Sequence, residues 1–555
     1  MKIYRHKISF LTWLQILFIF TLLVYILGIS ITLMEPDAAV YADIPIEMIK
    51  NNNFFEVTLK GVDWLDKPHF QFWITALSYK IFGINNFGFK FPAILFSLIA
   101  AYYTFLFGKR FYSIKHGSIA ALILLTAEHI IISNNDVRAE PFLAALTIVS
   151  LYYLAIYIEV KKFVYLVLSA VGLAGLLMTK GPFTILPVAS GIGLSLIVVG
   201  KWKEIIHWQW IALIAITLIL ISPTLIAYYL QFDMHPEKEI FGKTGVSGVR
   251  FFFWDSQWGR FTNTGPIKGE GDLLFFIHTV LWAFAPWAIL AYSGLFVKIR
   301  EIIHHRSKTE NYTIFGFIFT ILVYSVSSFQ LPHYLNQLFP FLAIITTHVI
   351  FKMEKNYKFL RLQYFLQLFT VIILLILLFL LHIFFFDSVP RIDVLVVVFM
   401  SIVVAVIIII KEKTIVKKIL LTSALIILSV NYYLNRQFYP ALLRYQSDSE
   451  MAFYIKANNL PAEDLVTFEK IQWSADFYLK ETIPEYRKEE LSEIDLSGKL
   501  VFTTHEGLKI LEGHGYHIEP VRSFQDFHVT TLNAEFINKR TRGKTLNETF
   551  LIYLR

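Results

Sequence analysis

The chain contains no cysteine. That excludes disulfides, a thiolate nucleophile and thiolate metal sites, and it leaves the compartment open, because exterior domains without disulfides are common. A continuous basic face is also missing. The net charge is +8 and the pI about 9.1, but the Lys and Arg residues cluster in short segments between apolar runs, which speaks for membrane topology and against a nucleic-acid groove. No self-similarity at a period of about 20–50 residues is present, which removes solenoids and weakens a transporter built from parallel repeats. A short secretory core is lacking too: the apolar stretch 8–34 exceeds the roughly 7–15 residues of a signal-peptide h-region. Although "DAAVYA" loosely imitates a cleavage site, the expectation is an uncleaved first span behind Lys2, Arg5 and Lys7.

What the chain has in excess is apolar surface. Hydrophobic residues make up 56% and there are 52 Phe, more than a soluble domain of this length needs for its core, so the class is a membrane protein. Runs long enough to span a bilayer, about thirteen of them, lie near 8–34, 87–108, 117–133, 140–158, 163–178, 182–199, 208–231, 272–297, 312–329, 333–351, 362–386, 391–410 and 414–434. With the N-terminus inside, every predicted inner loop is basic: Lys109, Arg110 and Lys115; Lys161 and Lys162; Lys201 and Lys203; Lys298, Arg300, Arg306 and Lys308; Lys352, Lys355, Lys358 and Arg361; Lys411, Lys413, Lys417 and Lys418. The outer connections are short or mixed in charge, so the alternation predicts an odd span number with the C-terminus outside. After Leu434 the composition turns polar, with strand-like runs such as "LVTFEK", "KLVFTT", "FHVTTL" and "TFLIYLR" between turns. The expected organisation is a multispan α-helical membrane domain over 1–438 and a small exoplasmic α/β domain over 439–555.

Four carboxylates, Glu35, Asp37, Asp43 and Glu47, follow the first span closely. A charge at the bilayer centre costs at least ~3 kcal/mol, so they belong at its outer end or in the loop beyond. For a single Asp a solvated face or helix capping is the ordinary explanation. Here "AVYADIPIEMIKN" spaces Ala39, Ala42, Ile46 and Ile49 along one helical face, and "VDWLDKPHFQFWITALSYKIFG" is rich in aromatics suited to the headgroup region; both read as helices lying in the membrane plane. Asp66, Lys67 and Pro68 open the second, placing a cation and a carboxylate where anions are favoured.

The stretches "EPDAAVYADIPIEM" and "DWLDKPHFQFWITALSYKIFGINNFGFKFPA", followed in order by "SNNDVRAEPFL", "LLMTKGPFTILP" and "SSFQLPHYLNQLFPFLA", resemble the bacterial C-type membrane glycosyltransferases, the group holding lipid A aminoarabinose transferases and protein O-mannosyltransferases. The resemblance covers most of the membrane part. It implies a multispan fold with interfacial first-loop helices, an exoplasmic active site, a polyprenyl-phosphate-linked sugar donor and residence in a bacterial inner membrane. Carried over by position, it makes Asp37 the catalytic aspartate, Tyr41 its neighbouring tyrosine, and Asp66 with Lys67 the acid and lysine of an "EKP" motif. The chain departs from the pattern at Ala38 and Val40, where many relatives have Glu and Arg; the missing Arg removes one expected phosphate ligand.

Displacing a lipid phosphate from a sugar carbon needs a base for the acceptor hydroxyl and cations for the departing anion, with little acid help. Asp37 is the candidate base, or only an orienting acceptor, and inversion follows if no covalent intermediate forms. Lys67 is the first candidate for phosphate, oriented by Asp66. Lys180 in "TKGP" binds phosphate or snorkels; Arg138 binds phosphate or pairs with Asp136 and Glu140. Arg260, beside Trp254, Trp258 and Phe261, binds the donor or anchors at the interface. Asp43, His333 and Tyr334 are supporting candidates. His69, His333 and a carboxylate leave a divalent cation open as a cofactor, but no His-x-x-x-His pair or compact Asp-x-Asp stands at the site. Glu128 and His129, polar within a span, are expected to face the bundle interior and hydrogen-bond.

The leading expectation is an inverting hexosyl- or pentosyltransferase that moves a sugar from a polyprenyl-phosphate donor to a lipid A-like lipid, a glycan or a protein. Its rival is a lipid or glycan transporter without chemistry, which would place its ionisable groups near the midplane of broken helices. A scaffold leaves the acidic first loop unexplained. Nucleic acid is not an expected partner.

Overall fold

The computed structural model describes residues 9–265, 268–304 and 309–555. Lys2, Arg5, Lys7, Arg306 and Lys308, on which part of the sidedness reading rests, lie outside the described residues. The first helices are α1 (Phe10–Ile29), α2 (Asp37–Lys50), α3 (Phe70–Phe82), α4 (Asn86–Phe111), α5 (Ile114–Leu125), α6 (Glu128–Asn135), α7 (Glu140–Val160) and α8 (Phe163–Lys180). Every apolar run picked out by hydropathy contains at least one helix among the described residues. Among the described residues nine helices are long and apolar enough to cross a membrane, and ten if α5 and α6, bent by 52° at their junction, count as one. The protein is therefore polytopic, although by this criterion the count stands below the expected thirteen or so. The difference lies in two short helices, Pro182–Val198 and Tyr312–Val326, and in the 272–297 run, which breaks into Phe275–Ala283 and Ala288–Ile303.

Two of the breaks support each other. A helix broken inside apolar surroundings must find partners for its freed backbone groups. The Glu128 N–H, at the α5–α6 break, donates to the Ala285 carbonyl at 3.0 Å, and the Trp287 indole N–H donates to the Thr126 hydroxyl at 3.0 Å. Glu128 and His129 do not hydrogen-bond each other: the Glu128 carboxylate accepts from the Asn431 amide at 2.6 Å, while His129 lies tilted against Trp282. At the end of α1 the orphan carbonyls of a helix C-terminus are met by the buried Lys90 ammonium, 3.0 Å from the Gly28 oxygen and 2.7 Å from that of Ile31. This fixes where the chain leaves the bundle and α2 begins.

The polar C-terminal region forms a five-stranded sheet. Its strands are β3 (Leu465–Phe468), β4 (Glu485–Tyr486), β5 (Leu500–Thr504), β6 (Ile518–Asp526) and β7 (Asn547–Leu554), after the first-loop hairpin β1 (Thr58–Leu59) and β2 (Val62–Asp63). The order is β4-β3-β5-β7-β6, with β3 parallel to both neighbours and β7 antiparallel to β5 and β6. The last candidate span reaches Tyr445, a few residues beyond the expected boundary at 438. α2 does not lie on an open membrane surface as its pattern suggested: residues 38–40 and 42–48 are all buried. Ala38, Ala42 and Ile46 pack on Ala475, Phe477 and Leu479 of the C-terminal region, and Val40, Ile44 and Met48 pack on Val57 and Phe72. α3 keeps an exposed apolar side at Leu77, Ile81 and Phe82.

Candidate active site

Asp37 is the first residue of α2, where a carboxylate suits the positive helix end. One turn on, Tyr41 shares its face. Glu47, near the other end of α2, is held by the hairpin turn: Lys60 and Gly61 both have positive φ, and their N–H groups, with the Thr58 hydroxyl, donate to the Glu47 carboxylate. The hairpin hands the chain back so that Asp66 and Lys67 arrive just before α3, not within it. Lys180 ends α8, and Gly181 makes the turn that follows with φ +91°; a β-carbon there would come within 2.5 Å of the Gln257 amide nitrogen. Gln257 bridges that turn, donating to the Lys180 carbonyl and accepting from the Phe183 N–H. Arg260 follows on the short helix Trp258–Phe261.

These segments enclose a cavity of about 180 Å³ lined by Asp37, Tyr41, Asp66, Lys67, Arg138, Glu140, Lys180, Arg260, Phe329, Leu331, His333 and Tyr334. Four cations stand against three carboxylates. Lys67 and Arg260 share the single carboxylate of Asp66, Lys67 at 2.5 Å. Burial alone would push the Asp66 carboxyl up, but the Lys67 ammonium and the Arg260 guanidinium more than reverse this and hold it at about 2. Burial also lowers Lys67, to about 8, against the pull of Asp66. Among the described residues the Nε of Arg260 is buried without a hydrogen-bond partner, so a donor remains for an anion entering the cavity. Arg138 lies 2.5 Å from Asp37 and 2.9 Å from Asp136; half of the Asp37 side chain remains exposed, against 18% of Arg138. Lys180 bonds Glu140 at 2.7 Å and sits 4.2 Å over the Tyr334 ring, with His333 3.6 Å from the same Glu140 oxygen.

Of the residues singled out by sequence, Asp37, Tyr41, Asp66, Lys67, Arg138, Lys180, Arg260, His333 and Tyr334 meet here. Asp43 does not: it is buried on the far side of α2, against the C-terminal region, where Asp476 and Lys60 are near. Asp136 stands behind Arg138 and lines a second, larger chamber of about 620 Å³. That chamber shares Asp37, Arg138, Glu140, Leu331 and His333 with the first and is closed by residues 528–530 and Leu532 of the C-terminal region. His69 is turned away, its Nε2 bonded to the Phe55 carbonyl and its ring packed on Trp73 and Tyr228. Among the described residues no group of three or more His, Asp or Glu is arranged to hold a metal ion. Val40 packs into the apolar cluster, and the guanidinium beside Asp37 is that of Arg138. Glu140, expected from sequence only as a partner for Arg138, instead pairs with Lys180 and lies beside His333.

A polytopic helical body thus gathers carboxylates and cations in one cavity beyond its helix ends. In sequence the chain is similar to undecaprenyl phosphate-alpha-4-amino-4-deoxy-L-arabinose arabinosyl transferases. Residues 66–227 match the family of dolichyl-phosphate-mannose-protein mannosyltransferases. An undecaprenyl phosphate-alpha-4-amino-4-deoxy-L-arabinose arabinosyl transferase of Pseudomonas fluorescens is 23% identical over 59% of this chain and 56% of its own length. A protein of Aquifex aeolicus is 25% identical over 58% of this chain. The matched stretch thus spans about 60% or less of these relatives. The crystal structure of ArnT from Cupriavidus metallidurans bound to undecaprenyl phosphate shares the fold, with a TM-score of 0.73 at 17% identity over 92% of this chain and 96% of that one.

Proposed function

We propose that the protein is an inverting glycosyltransferase that moves a sugar from a polyprenyl-phosphate donor to an acceptor hydroxyl at the outer face of a bacterial inner membrane, its N-terminus inside and its C-terminal domain outside. The observation that carries the reading is the meeting of Asp37 with Lys67, Lys180, Arg138 and Arg260 around one cavity. Lys67 and Arg260, already sharing Asp66, offer net positive charge and an unused Arg260 N–H to the donor phosphate. The bond between the sugar carbon and the phosphate oxygen breaks towards them, so the departing monoester gains its negative charge where the cations are fixed in advance. Asp37 accepts the proton of the attacking hydroxyl, and Arg138 holds its carboxylate in place. Attack from the side opposite the phosphate inverts the carbon.

The chamber that adjoins Asp37 and is roofed by the C-terminal domain is the acceptor's place. The undecaprenyl phosphate-alpha-4-amino-4-deoxy-L-arabinose arabinosyl transferases among the relatives favour a pentose donor on undecaprenyl phosphate. The test is transfer of radiolabelled sugar from a polyprenyl-phosphate donor by the purified protein. Asp37→Asn should lower turnover about 10²–10⁴-fold, the usual contribution of a general base, with donor affinity little changed. A variant that turns over like the unaltered protein would remove Asp37 from the chemistry.

A further inference from the structure

The residues that lead into Asp37, 33–36, lie outside any helix or strand, so their buried backbone groups need partners from elsewhere. The C-terminal region supplies them. The Gln446 side-chain amide donates through Nε2 to the Leu33 carbonyl at 2.8 Å and accepts through Oε1 from the Glu35 N–H at 3.0 Å. One amide thus bridges two alternate residues as the backbone of a neighbouring strand would, and only this orientation serves both partners. The Leu33 N–H donates to the Tyr478 hydroxyl at 2.8 Å, and the Ser474 hydroxyl donates to the Glu35 carboxylate. Leu33 is fully buried and Gln446 is 1% exposed, so losing the amide leaves backbone groups unpaired away from water. Gln446 is itself held on both sides. It follows directly on the last candidate span, which ends at Tyr445. The Tyr445 carbonyl accepts from the Phe527 N–H at 2.8 Å, and the Ser447 N–H donates to the Asp526 carboxylate at 3.1 Å, so the end of β6 grips the chain before and after Gln446.

We propose that Gln446 is a positioning residue: by holding the backbone of Leu33 and Glu35 it sets Asp37 at the head of α2, so that the C-terminal domain builds the base half of the site. The membrane part anchors the same strand of chain only as far as Ile31, whose carbonyl accepts from Lys90 at 2.7 Å and from the Asn86 amide at 3.2 Å. From Leu33 to α2 the course is set by Gln446, Tyr478 and Ser474. The donor half is arranged by other means. Lys67 and Arg260 share Asp66, and the turn after Lys180 is bridged by Gln257. Releasing the amide should therefore slow the chemical step and leave donor binding alone, because a shift of about 1 Å at a reacting group costs up to ~100-fold in rate. The inference rests on the transferase reading for what Asp37 does; the clamp itself is read without turnover.

Steady-state sugar transfer and undecaprenyl phosphate binding, both by the full-length protein in lipid nanodiscs, test it. Gln446→Met keeps the length of the side chain and removes both bonds. Its kcat should fall about 10–100-fold, while the donor KM and the affinity for undecaprenyl phosphate stay within about twofold. Tyr478→Phe, a milder release of the same segment, should show the same split on a smaller scale. Gln363→Met, at a buried glutamine of the span Tyr357–Phe385 that donates to Ser293, controls for general loosening and should transfer sugar normally. An unchanged kcat in Gln446→Met, a donor affinity that falls in step with kcat, or an equal loss in Gln363→Met would overturn the proposal. Hydrogen–deuterium exchange separates it from the transferase reading: over residues 33–41 Gln446→Met should lose protection by about tenfold, as two broken hydrogen bonds imply. If the unaltered protein transfers no sugar, the transferase reading falls and exchange alone decides the clamp, which unchanged protection would reject.

Discussion

At the scale of single residues the cavity works by unequal pairing. Lys67 and Arg260 divide one carboxylate between them, whereas Lys180 and Arg138 have their own. The first pair is thus the under-neutralised one, and the donor phosphate is expected there. Because burial brings Lys67 to about 8, its charge is present below that pH and fades above it. Affinity for a lipid phosphate should fall as the pH rises through about 8, and Lys67→Arg, which stays protonated, should remove this alkaline limb in a binding titration. Persistence of the limb in the arginine variant would assign it elsewhere. The residue scale is also where sequence reading reached furthest and failed most instructively. Asp37 is legible because a carboxylate directly after a span has to leave the apolar layer, whereas Tyr41 is reached only through the family resemblance. Asp43, six residues on, falls on the opposite side of the same helix, and only the structure shows that another domain covers it.

At the scale of elements, breaks position the chemistry. α8 stops at Lys180 because Gly181 takes a left-handed conformation over which Gln257 lies. Gly181→Ala meets both a strained φ and a contact of 2.5 Å, so it should cost roughly 1–3 kcal/mol and weaken donor binding by shifting Lys180 and Arg260 together. A melting curve and a lipid-phosphate titration check this; an unchanged titration would uncouple the turn from the site. The apolar runs were readable because hydropathy depends on local composition. The breaks within them were not, since a helix interruption depends on a distant partner, as Glu128 depends on Ala285 and Trp287 on Thr126. The burial of α2 escaped for the same reason: its apolar side suits a membrane surface and a protein neighbour equally well.

Across the whole molecule, the ionisable groups of the cavity come from the start of α2, the segment before α3, the α6–α7 junction, the end of α8, the helix Trp258–Phe261 and the start of the Pro332–Met353 helix, while Lys161 and Lys162, between α7 and α8, and Lys352, near the end of the Pro332–Met353 helix, lie at the opposite ends of their helices. This separation predicts sidedness, and a chain without cysteine allows a clean test. Lys509→Cys in the C-terminal domain should react with a membrane-impermeant maleimide on intact spheroplasts, and Lys413→Cys only after permeabilisation; the reverse pattern would invert the topology. The same separation argues against a transporter, whose charges would lie at mid-membrane. The central claim is that Lys67 and Arg260 hold a lipid phosphate, and binding of undecaprenyl phosphate to the purified protein measures it most directly. Lys67→Met and Arg260→Met should each weaken binding by about 10–100-fold, as the loss of a charge-assisted hydrogen bond implies, while Asp37→Asn binds within a few-fold of the unaltered protein. Equal affinity in all four proteins would contradict the account.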